Sequence, residues 1–213
     1  MLANVPLFAD LDADALAAIE QQTKRKHYHK RTVIIEKGDE SSTLYLLEQG
    51  RAKVYVADDA GREIVLRELG PGDHFGELAL LGGSPRTASV ETLTDCDVRL
   101  LTGAVFQDFL AKHPEVALSL IRHLVHQVAD LTDTASDLAL LSVYGRIAKV
   151  LVDKSEEQGG RLITPPLTQQ QIADRVGCSR EMVSRIIGDL KTGGYVSVEG
   201  KRFVLERKLP ERW

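Results

Sequence analysis

The sequence predicts an α+β protein, in which an amino-terminal roll of short β-strands precedes one long helix and a smaller module of short helices and a hairpin. Three observations lead to this prediction. Between about residues 20 and 103, short stretches rich in Val, Ile, Leu, Thr and Tyr alternate with Gly and Asp clusters. A helical repeat of apolar residues begins at Pro114, and two short amphipathic segments with a glycine between them follow Thr168.

The predicted strands of the roll are separated by residues that favour turns. They cover residues 32–36, 43–48, 52–57 and 64–69. The intervening turn sequences are Gly38-Asp39, Gly50, the run from Asp58 to Gly61, and Gly70-Pro71-Gly72. Strands at this spacing are typical of a small barrel or jelly roll. A short helix is predicted before them from the spacing of Leu11, Ala15, Leu16 and Ile19.

Charge is distributed unevenly along the 213 residues. Residues 1–139 carry 14 Lys and Arg against 22 Asp and Glu, whereas residues 140–213 carry 13 against 9. A basic module joined to an acidic one suits a polyanion-binding domain attached to a regulatory domain. No apolar run approaches the roughly 18 to 20 residues of a membrane span, and no secretory signal is visible. We therefore expect a cytoplasmic protein without a membrane partner.

Neither a disulfide nor a metal site is predicted. Cys96 and Cys178 are far apart and are expected to be buried. The histidine pairs lack a Cys or carboxylate set of recognised spacing; these pairs are His27 with His29 and His123 with His126. A nucleophile with its base, a phosphate-transfer loop and a metal constellation are all lacking, so an enzyme is the least favoured class.

The most informative stretch runs from Phe75 to Ser89 and reads FGELALLGGSPRTAS. Arg86 can bind two phosphate oxygens at once, and Glu77 can accept a hydrogen bond from a ribose hydroxyl. The sequence GGSP between them predicts a turn that brings Arg86 back toward Glu77. The alternative is a solvated Glu and Arg flanking a surface turn, but the whole run favours a site for a sugar with one buried phosphate.

This run resembles the phosphate-binding cassette of cyclic-nucleotide-binding domains. The resemblance implies that Glu77 holds the ribose 2'-hydroxyl and that Arg86 holds the cyclic phosphate, with backbone amides near both completing the cradle. The residues assigned to the nucleotide by the resemblance are Gly76, Glu77, Leu78, Ala79, Arg86, Thr87 and Ala88.

The long helix predicts a dimer. From Pro114 the apolar residues follow at alternating steps of four and three: Ala117, Ile121, Leu124, Val128, Leu131, Ala135 and Leu138. Such a seam can pair two copies of residues 114–139. On the pattern alone, a helix lying on its own domain is an equal alternative.

The second module begins near residue 140. Thr168-Gln169-Gln170-Gln171 has the form of a capping box, and Gly177-Cys178-Ser179 breaks the helix that follows. Ser179 can cap a second helix, predicted over residues 180–191 and ended by Gly193. Two short helices joined by a tight glycine turn predict a helix-turn-helix. Residues 195–198 and 203–206 alternate around a turn, which predicts a hairpin wing.

The exposed side chains of the second helix suit the major groove of DNA. Arginine can bond to guanine O6 and N7, and glutamate can accept from cytosine N4. The sequence GCSRExxxR resembles the recognition segment of the cyclic AMP receptor protein (CRP/FNR) family, and the resemblance extends from about Val5 to Arg207. It implies a half-site similar to TGTGA. The residues assigned to DNA are Thr168, Gln169, Gln170, Ser179, Arg180, Glu181, Ser184, Arg185 and Lys201. A solvated charged face is the alternative.

The family resemblance also implies an effector. Its members meet the purine with adjacent Thr and Ser on the long helix, where this chain has Leu131 and Thr132, so only Thr132 keeps a hydroxyl. A hydroxyl after the cassette arginine, here Thr87, occurs in cyclic-GMP-selective domains and in bacterial cyclic AMP binders. Cyclic AMP is the expected effector and cyclic GMP the alternative, and neither haem nor metal is expected.

These features predict three parts: a cyclic-nucleotide-binding β-roll over residues 1–113, a dimerisation helix over 114–139, and a winged helix-turn-helix over 140–213. The predicted function is a cyclic-nucleotide-responsive dimeric regulator that binds double-stranded DNA, with RNA polymerase as a partner implied by the resemblance. Two alternatives stay open. One is a regulator of this family that is constitutive or answers cyclic GMP or cyclic di-GMP, and the other is a nucleotide-binding regulatory subunit without DNA affinity.

Overall fold

The computed structural model describes Leu2 and residues 5–210. The chain divides into two compact units. The first contains the residues up to Val56 together with Val65–Asp130, and the second contains Ala57–Ile64 together with the residues from Leu131 onward. The predicted α+β architecture of a β-roll, a long helix and a helix-turn-helix is confirmed. None of the helices in the described ranges is long and apolar enough to cross a membrane.

The amino-terminal roll consists of two four-stranded sheets, with strand orders β1-β8-β3-β6 and β2-β7-β4-β5. Its strands are β1 Lys24–Tyr28, β2 Val33–Ile35, β3 Thr43–Gln49, β4 Ala52–Ala57, β5 Glu63–Leu69, β6 His74–Phe75, β7 Ser89–Thr92 and β8 Cys96–Thr102. The four predicted strands correspond to β2, β3, β4 and β5, with ends that differ by one residue or match.

Strand β3 separates two hydrophobic cores of the roll. Because side chains alternate along a strand, Leu44 and Leu46 pack into one core beneath the helices. Tyr45 and Leu47 pack into the other core, between the sheets. All four are buried, so β3 is covered on both faces.

The helices have the following bounds: α1 Ala13–Gln21, α2 Glu77–Gly82, α3 Gly103–Lys112, α4 Pro114–Leu140, α5 Val143–Asp153, α6 Gln169–Val176 and α7 Arg180–Thr192. The long helix predicted from Pro114 is α4. Of the predicted seam, Leu124 is partly buried and packs against the core of its own unit, and its place in a dimer seam stays a prediction. The apolar side chains that α4 exposes are Leu118, Ile121, Val125, Val128, Leu131, Leu138 and Leu140.

The second unit contains the helix-turn-helix and a four-stranded sheet of order β11-β12-β10-β9. The strands are β9 Glu156–Gln158, β10 Arg161–Ile163, β11 Val196–Glu199 and β12 Arg202–Leu205. Strand β9 is polar and exposed, and it is not among the strands that the sequence predicted. Gly159 and Gly160 both have positive φ and form a tight turn that lets the polar segment before them pair with β10. Cys178, expected to be buried, is half-buried.

Local chemistry explains the helix-turn-helix. The Thr168 hydroxyl accepts a hydrogen bond from the Gln171 amide, and the Gln171 side chain accepts one from the Thr168 amide, so the capping box is present. Gly177 has φ of 67° and ends α6 in the left-handed conformation. Ser179 then caps α7 by accepting a hydrogen bond from Met182 N. The inward face of α7 is formed by Val183, Ile186, Ile187 and Leu190.

The core of the second unit can be tested on α5. Ile147 is fully buried, whereas Val152 is 49% exposed. We expect Ile147→Ala to lower the free energy of unfolding by about 2–5 kcal/mol, because it leaves a cavity, and Val152→Ala to lower it by about 0.5 kcal/mol or less. Urea denaturation of the two variants measures this difference. Equal effects would show that α5 does not pack as described.

Candidate nucleotide pocket and nucleic-acid interface

The cassette begins where a strand of the roll ends in a glycine. Strand β6 pairs with β3, and Gly76 follows it with φ of 88°. A Cβ atom at this position would lie 2.6 Å from Arg86 Nη1 and 2.9 Å from the Thr43 carbonyl oxygen. Gly76 is therefore required both for its backbone conformation and for the close approach of Arg86.

Arg86 is held inside the roll by its own side chain and its backbone. Its Nη1 donates to the Gly76 carbonyl at 2.6 Å, and its Nη2 donates to the Thr43 carbonyl at 2.8 Å and to Ser41 Oγ at 3.0 Å. The backbone amide of Arg86 donates to the Asp39 carbonyl at 2.9 Å. The guanidinium is thus fixed in one place by groups of the roll itself.

The positive charge of Arg86 is buried without a carboxylate bonded to it. The residue is 4% exposed, and the described partners of its guanidinium are two carbonyls and a hydroxyl, with no carboxylate among them. Burial lowers the pKa of Arg86, and the charges of Tyr45, Glu77 and Asp39 oppose this only in part. Its Nε–H has no hydrogen-bond partner among the described residues. A buried cation with an unused donor is the arrangement that an anion would complete.

Glu77, the first residue of α2, is also buried, with 3% of its surface exposed. Its Oε1 accepts a hydrogen bond from Gln127 Nε2 at 3.2 Å, and its charge acts on Arg86. The structure therefore brings Glu77 and Arg86 together, as the turn between them predicted. Of the other cassette residues assigned from the sequence, Ala79 is buried, Ala88 is half-buried, and Leu78 and Thr87 are exposed.

Sequence reasoning missed the groups that hold the two charged residues. Ser41 and Thr43 precede Arg86 by more than forty positions and have no motif of their own. Gln127 interrupts the apolar pattern of α4 four residues after His123, and both are half-buried. This i, i+4 pair places two polar residues on one face of α4, and the spacing was the available sign of a polar contact.

A buried histidine lies next to the cassette. His74 is 3% exposed, its ring centroid is 4.2 Å from that of His123, and its Nε2 has no hydrogen-bond partner among the described residues. Arg67 donates to the His74 carbonyl at 3.2 Å and lies 3.0 Å from His123 Nε2. Burial, with the charges of His123 and Arg67, lowers the pKa of His74 to about 3. His74 is therefore neutral at neutral pH.

Thr132, assigned to the purine by resemblance, is exposed on α4 and belongs to the second unit. Leu131, one position earlier, is 46% exposed. The role of Thr132 toward the nucleotide stays a prediction.

The residues assigned to base reading all lie on the solvent side of α7. The exposed residues of its first half are Arg180, Glu181, Ser184 and Arg185, opposite the buried face. Arg185 Nη2 lies 2.9 Å from Met182 Sδ, so its side chain rests along the helix. Arg180 begins α7 directly after the Ser179 cap. Helices of this kind present their amino-terminal residues to base edges.

The predicted backbone contacts surround the same helix. Gln169 begins α6, and Gln170 Nε2 donates to Asp174 Oδ1 at 2.6 Å. The exposed Lys201 lies in the turn between β11 and β12, and its carbonyl accepts a hydrogen bond from Leu167 N at 2.8 Å. A cavity of about 370 Å³ is lined by α7, the start of α6 and this turn, including Gln169, Ser184 and Lys201. Residues from three sequence segments thus share one surface of the second unit.

Both modules match models of known protein families. Residues 25–113 match the family model of the cyclic nucleotide-binding domain, and residues 145–209 match that of the Crp-like helix-turn-helix domain. The chain belongs to the CRP/FNR family of transcription regulators. The predicted family is confirmed, and with it the assignment of one module to cyclic nucleotides and the other to DNA.

Curated relatives cover nearly the whole chain. The CRP-like cAMP-activated global transcriptional regulator of Mycobacterium tuberculosis is 30% identical over 210 residues, which cover 96% of this chain and 94% of the relative. The cAMP-activated global transcriptional regulator Vfr of Pseudomonas aeruginosa is 33% identical over 191 residues, which cover 85% of this chain and 88% of the relative. Both relatives are transcription regulators, the class that the sequence favoured over an enzyme.

A solved structure broadens the range of effectors in this family. The c-di-GMP responsive global regulator CLP of Xanthomonas campestris is 30% identical and superposes with a TM-score of 0.81, covering 92% of this chain and 100% of that one. Similar members therefore respond to different nucleotides.

Because His74 is buried and neutral, we expect the stability of the folded protein to depend on pH. As pH falls below the ordinary histidine pKa of 6.5, His74 becomes protonated in the unfolded chain. In the folded chain its pKa is about 3, so it stays neutral. Native stability therefore falls with pH, by about 2 kcal/mol between roughly pH 6.5 and pH 5. We expect His74→Phe to remove this part of the acid sensitivity.

Urea unfolding at the two pH values measures the effect, with the exposed His126→Gln as the control. An identical loss of stability in wild type and His74→Phe would contradict the buried neutral histidine.

Proposed function

We propose that this protein is a cyclic-AMP-responsive transcription regulator that acts as a dimer on a palindrome of TGTGA-like half-sites. The observation that carries the proposal is the buried guanidinium of Arg86, which is fixed by two backbone carbonyls and a serine and keeps one unused donor. A group of this kind selects a small anion that can leave water.

The surroundings of Arg86 favour a nucleotide with one cyclised phosphate. Glu77 is buried nearby and can accept a hydrogen bond from a ribose hydroxyl, which distinguishes a nucleotide from a bare phosphate ion. Only one buried cation is available among the described cassette residues, so one phosphate charge is neutralised. The assigned contacts from the surrounding cassette are Gly76, Leu78, Ala79, Thr87 and Ala88, with Thr132 on the purine.

The second copy is proposed to pair along α4. Side chains that face solvent on this helix include Val125 and Val128, which are 62% and 63% exposed, and Ile121, which is 55% exposed. These positions follow steps of four and three, the spacing of a two-stranded coiled coil. A row of apolar side chains this exposed is best explained by a second copy of the same helix.

On DNA, Arg180, Glu181 and Arg185 are proposed to read base edges in the major groove. Ser179 and Ser184 lie beside them, and the backbone contacts are assigned to Thr168, Gln169, Gln170 and Lys201. Two recognition helices of a dimer meet half-sites about one helical turn, or ~34 Å, apart. Such binding requires a cytoplasmic location, and RNA polymerase remains a partner proposed from family resemblance.

The ligand is proposed to act through α4. This helix contributes Gln127 to the buried Glu77 and also continues to Leu140 in the second unit. A ligand that binds the DNA-competent dimer more tightly shifts the population toward it. A coupling of about 1–3 kcal/mol would raise DNA affinity roughly 5- to 150-fold.

Cyclic di-GMP is a second candidate effector, because the similar CLP protein is described as c-di-GMP responsive. Its two phosphates would leave one charge without a buried cation from the cassette. Calorimetric titration with cyclic AMP, cyclic GMP and cyclic di-GMP distinguishes the candidates. We expect cyclic AMP to bind most tightly and to raise affinity for DNA.

Removing the Arg86 charge tests the pocket. We expect Arg86→Gln to weaken cyclic AMP binding by at least about 30-fold, because a buried charge pair loses one partner. Arg86→Lys keeps the charge but cannot form the bidentate hydrogen bonds of a guanidinium, and we expect a smaller loss of cyclic AMP affinity. Calorimetry measures both.

The matched control is Arg62→Gln, because Arg62 is exposed and bonds to Asp58 in a surface turn. Its nucleotide affinity should equal that of wild type. If folded Arg86→Gln bound cyclic AMP as tightly as wild type, the proposed pocket would be wrong.

Base reading is tested on Arg180. We expect Arg180→Ala to weaken binding to a TGTGA palindrome by about 1–3 kcal/mol and to relax the preference at one base pair. Lys201→Ala should weaken binding equally to all sequences, because a phosphate contact carries no sequence information. Fluorescence anisotropy with specific and scrambled duplexes measures both effects.

Lys154→Ala serves as the control, since Lys154 ends α5 and is not assigned to DNA. An unchanged sequence preference in Arg180→Ala would contradict the assignment of this residue to a base.

A further inference from the structure

Two histidines and an aspartate meet on the surface of the roll, in a part of the unit that the nucleotide pocket does not use. One ligand atom from each of His27, His29 and Asp95 lies within 4.8 Å of the other two, and all three residues are exposed. The sequence predicted no such group, because Asp95 stands more than sixty positions from either histidine. Strand pairing brings them together, since β1 pairs with β8.

We propose that His27, His29 and Asp95 form a binding site for a divalent transition-metal ion, with Zn²⁺ as the best-suited ion. Two imidazoles and one carboxylate are a ligand set that zinc accepts, and three protein ligands leave a coordination position open. Nothing in the proposal depends on the nucleotide or DNA function.

The neighbours of the site orient its ligands. His27 Nδ1 lies 2.7 Å from Asp97 Oδ1, so this carboxylate can hold the proton on Nδ1 and leave Nε2 to bind the ion. Asp95 Oδ1 accepts a hydrogen bond from the Lys30 amide at 2.8 Å, which fixes the direction of its carboxylate. A metal-binding histidine is commonly supported by a carboxylate in this way.

The two segments that supply the ligands are joined by further hydrogen bonds. Thr92 Oγ1 donates to the His29 carbonyl at 2.7 Å and accepts from the Thr32 amide at 2.8 Å. Gly50 permits the approach of the Asp95 loop, because a Cβ at this position would lie 2.3 Å from the Asp95 carbonyl oxygen. The backbone segments that carry the ligands are therefore tied to each other at this edge of the roll.

Nearby charges decide which class of ion fits. Arg25 lies on the same face of β1 as His27, and its Nε is 3.2 Å from Glu48 Oε2, so its charge is compensated. Lys30 and Arg31 follow His29 directly and add positive charge. Hard ions such as Ca²⁺ and Mg²⁺ depend on several oxygen ligands and their negative charge, which this group does not supply. Imidazole nitrogen favours zinc and its transition-metal neighbours.

The ion would join the end of β1 to the loop before β8. Because it would bind the folded roll and not the separated ligands of the unfolded chain, it would raise the stability of this unit. Because all three residues are exposed, solvent and further ligands would have access to an ion held by them.

Zinc titration of the full-length, untagged and chelator-treated protein tests the proposal. All variants carry Cys178→Ser, because Cys178 is a half-buried free thiol and thiolates bind zinc, which would obscure binding at the proposed site. We expect one Zn²⁺ per chain in calorimetry and a higher thermal midpoint in its presence. His27→Ala, His29→Ala and Asp95→Asn should each weaken binding by about 10-fold or more.

The control is His126→Ala, which removes an exposed histidine outside the group. It should bind zinc like the parent, which is the protein that carries Cys178→Ser alone. Circular dichroism and urea unfolding of the same variants without zinc check that the roll remains folded, which we expect because the changed side chains are exposed. Failure of the parent to bind Zn²⁺, or equal binding by folded variants of the three ligands, would overturn the proposal.

Discussion

The buried charge of Arg86 is the constraint on which the rest of the nucleotide site depends. A guanidinium with 4% exposure is costly unless its donors are satisfied, and the roll satisfies them with carbonyls of Gly76 and Thr43 and the hydroxyl of Ser41. Those bonds explain why a glycine must stand at position 76, where a Cβ would collide with Nη1. They leave Nε–H unused, and the net charge is not neutralised by a bonded carboxylate in the described part of the chain.

The two modules hold positively charged side chains in opposite environments, one buried and the other exposed to solvent. The roll holds the guanidinium of Arg86 in a buried position, where a phosphate would gain most from it. The second unit keeps Arg180 and Arg185 on the solvent face of α7, where they are available for the DNA contacts proposed above. Helix α4 contributes residues to both units, and the proposed coupling between effector and DNA therefore runs through this helix.

The sequence predicted those features that local chemistry determines. The capping box at Thr168, the break at Gly177 and the cap at Ser179 each depend on neighbouring residues, and all three are present. Contacts between distant segments could not be predicted, such as Ser41 with Arg86, because strand pairing alone creates them. The polar strand β9 was missed for a related reason: it carries no apolar alternation, and its pairing depends on the glycines that follow it.

The ¹⁵N resonance of the Arg86 Nε–H group tests the central claim most directly, because this donor has no partner in the described structure. It should be followed during titration with cyclic AMP and, in parallel, with adenosine, which has the same base and sugar but no phosphate. The account predicts a large shift of this resonance with cyclic AMP and little change with adenosine. An Arg86 resonance that stays unchanged at saturating cyclic AMP would contradict it.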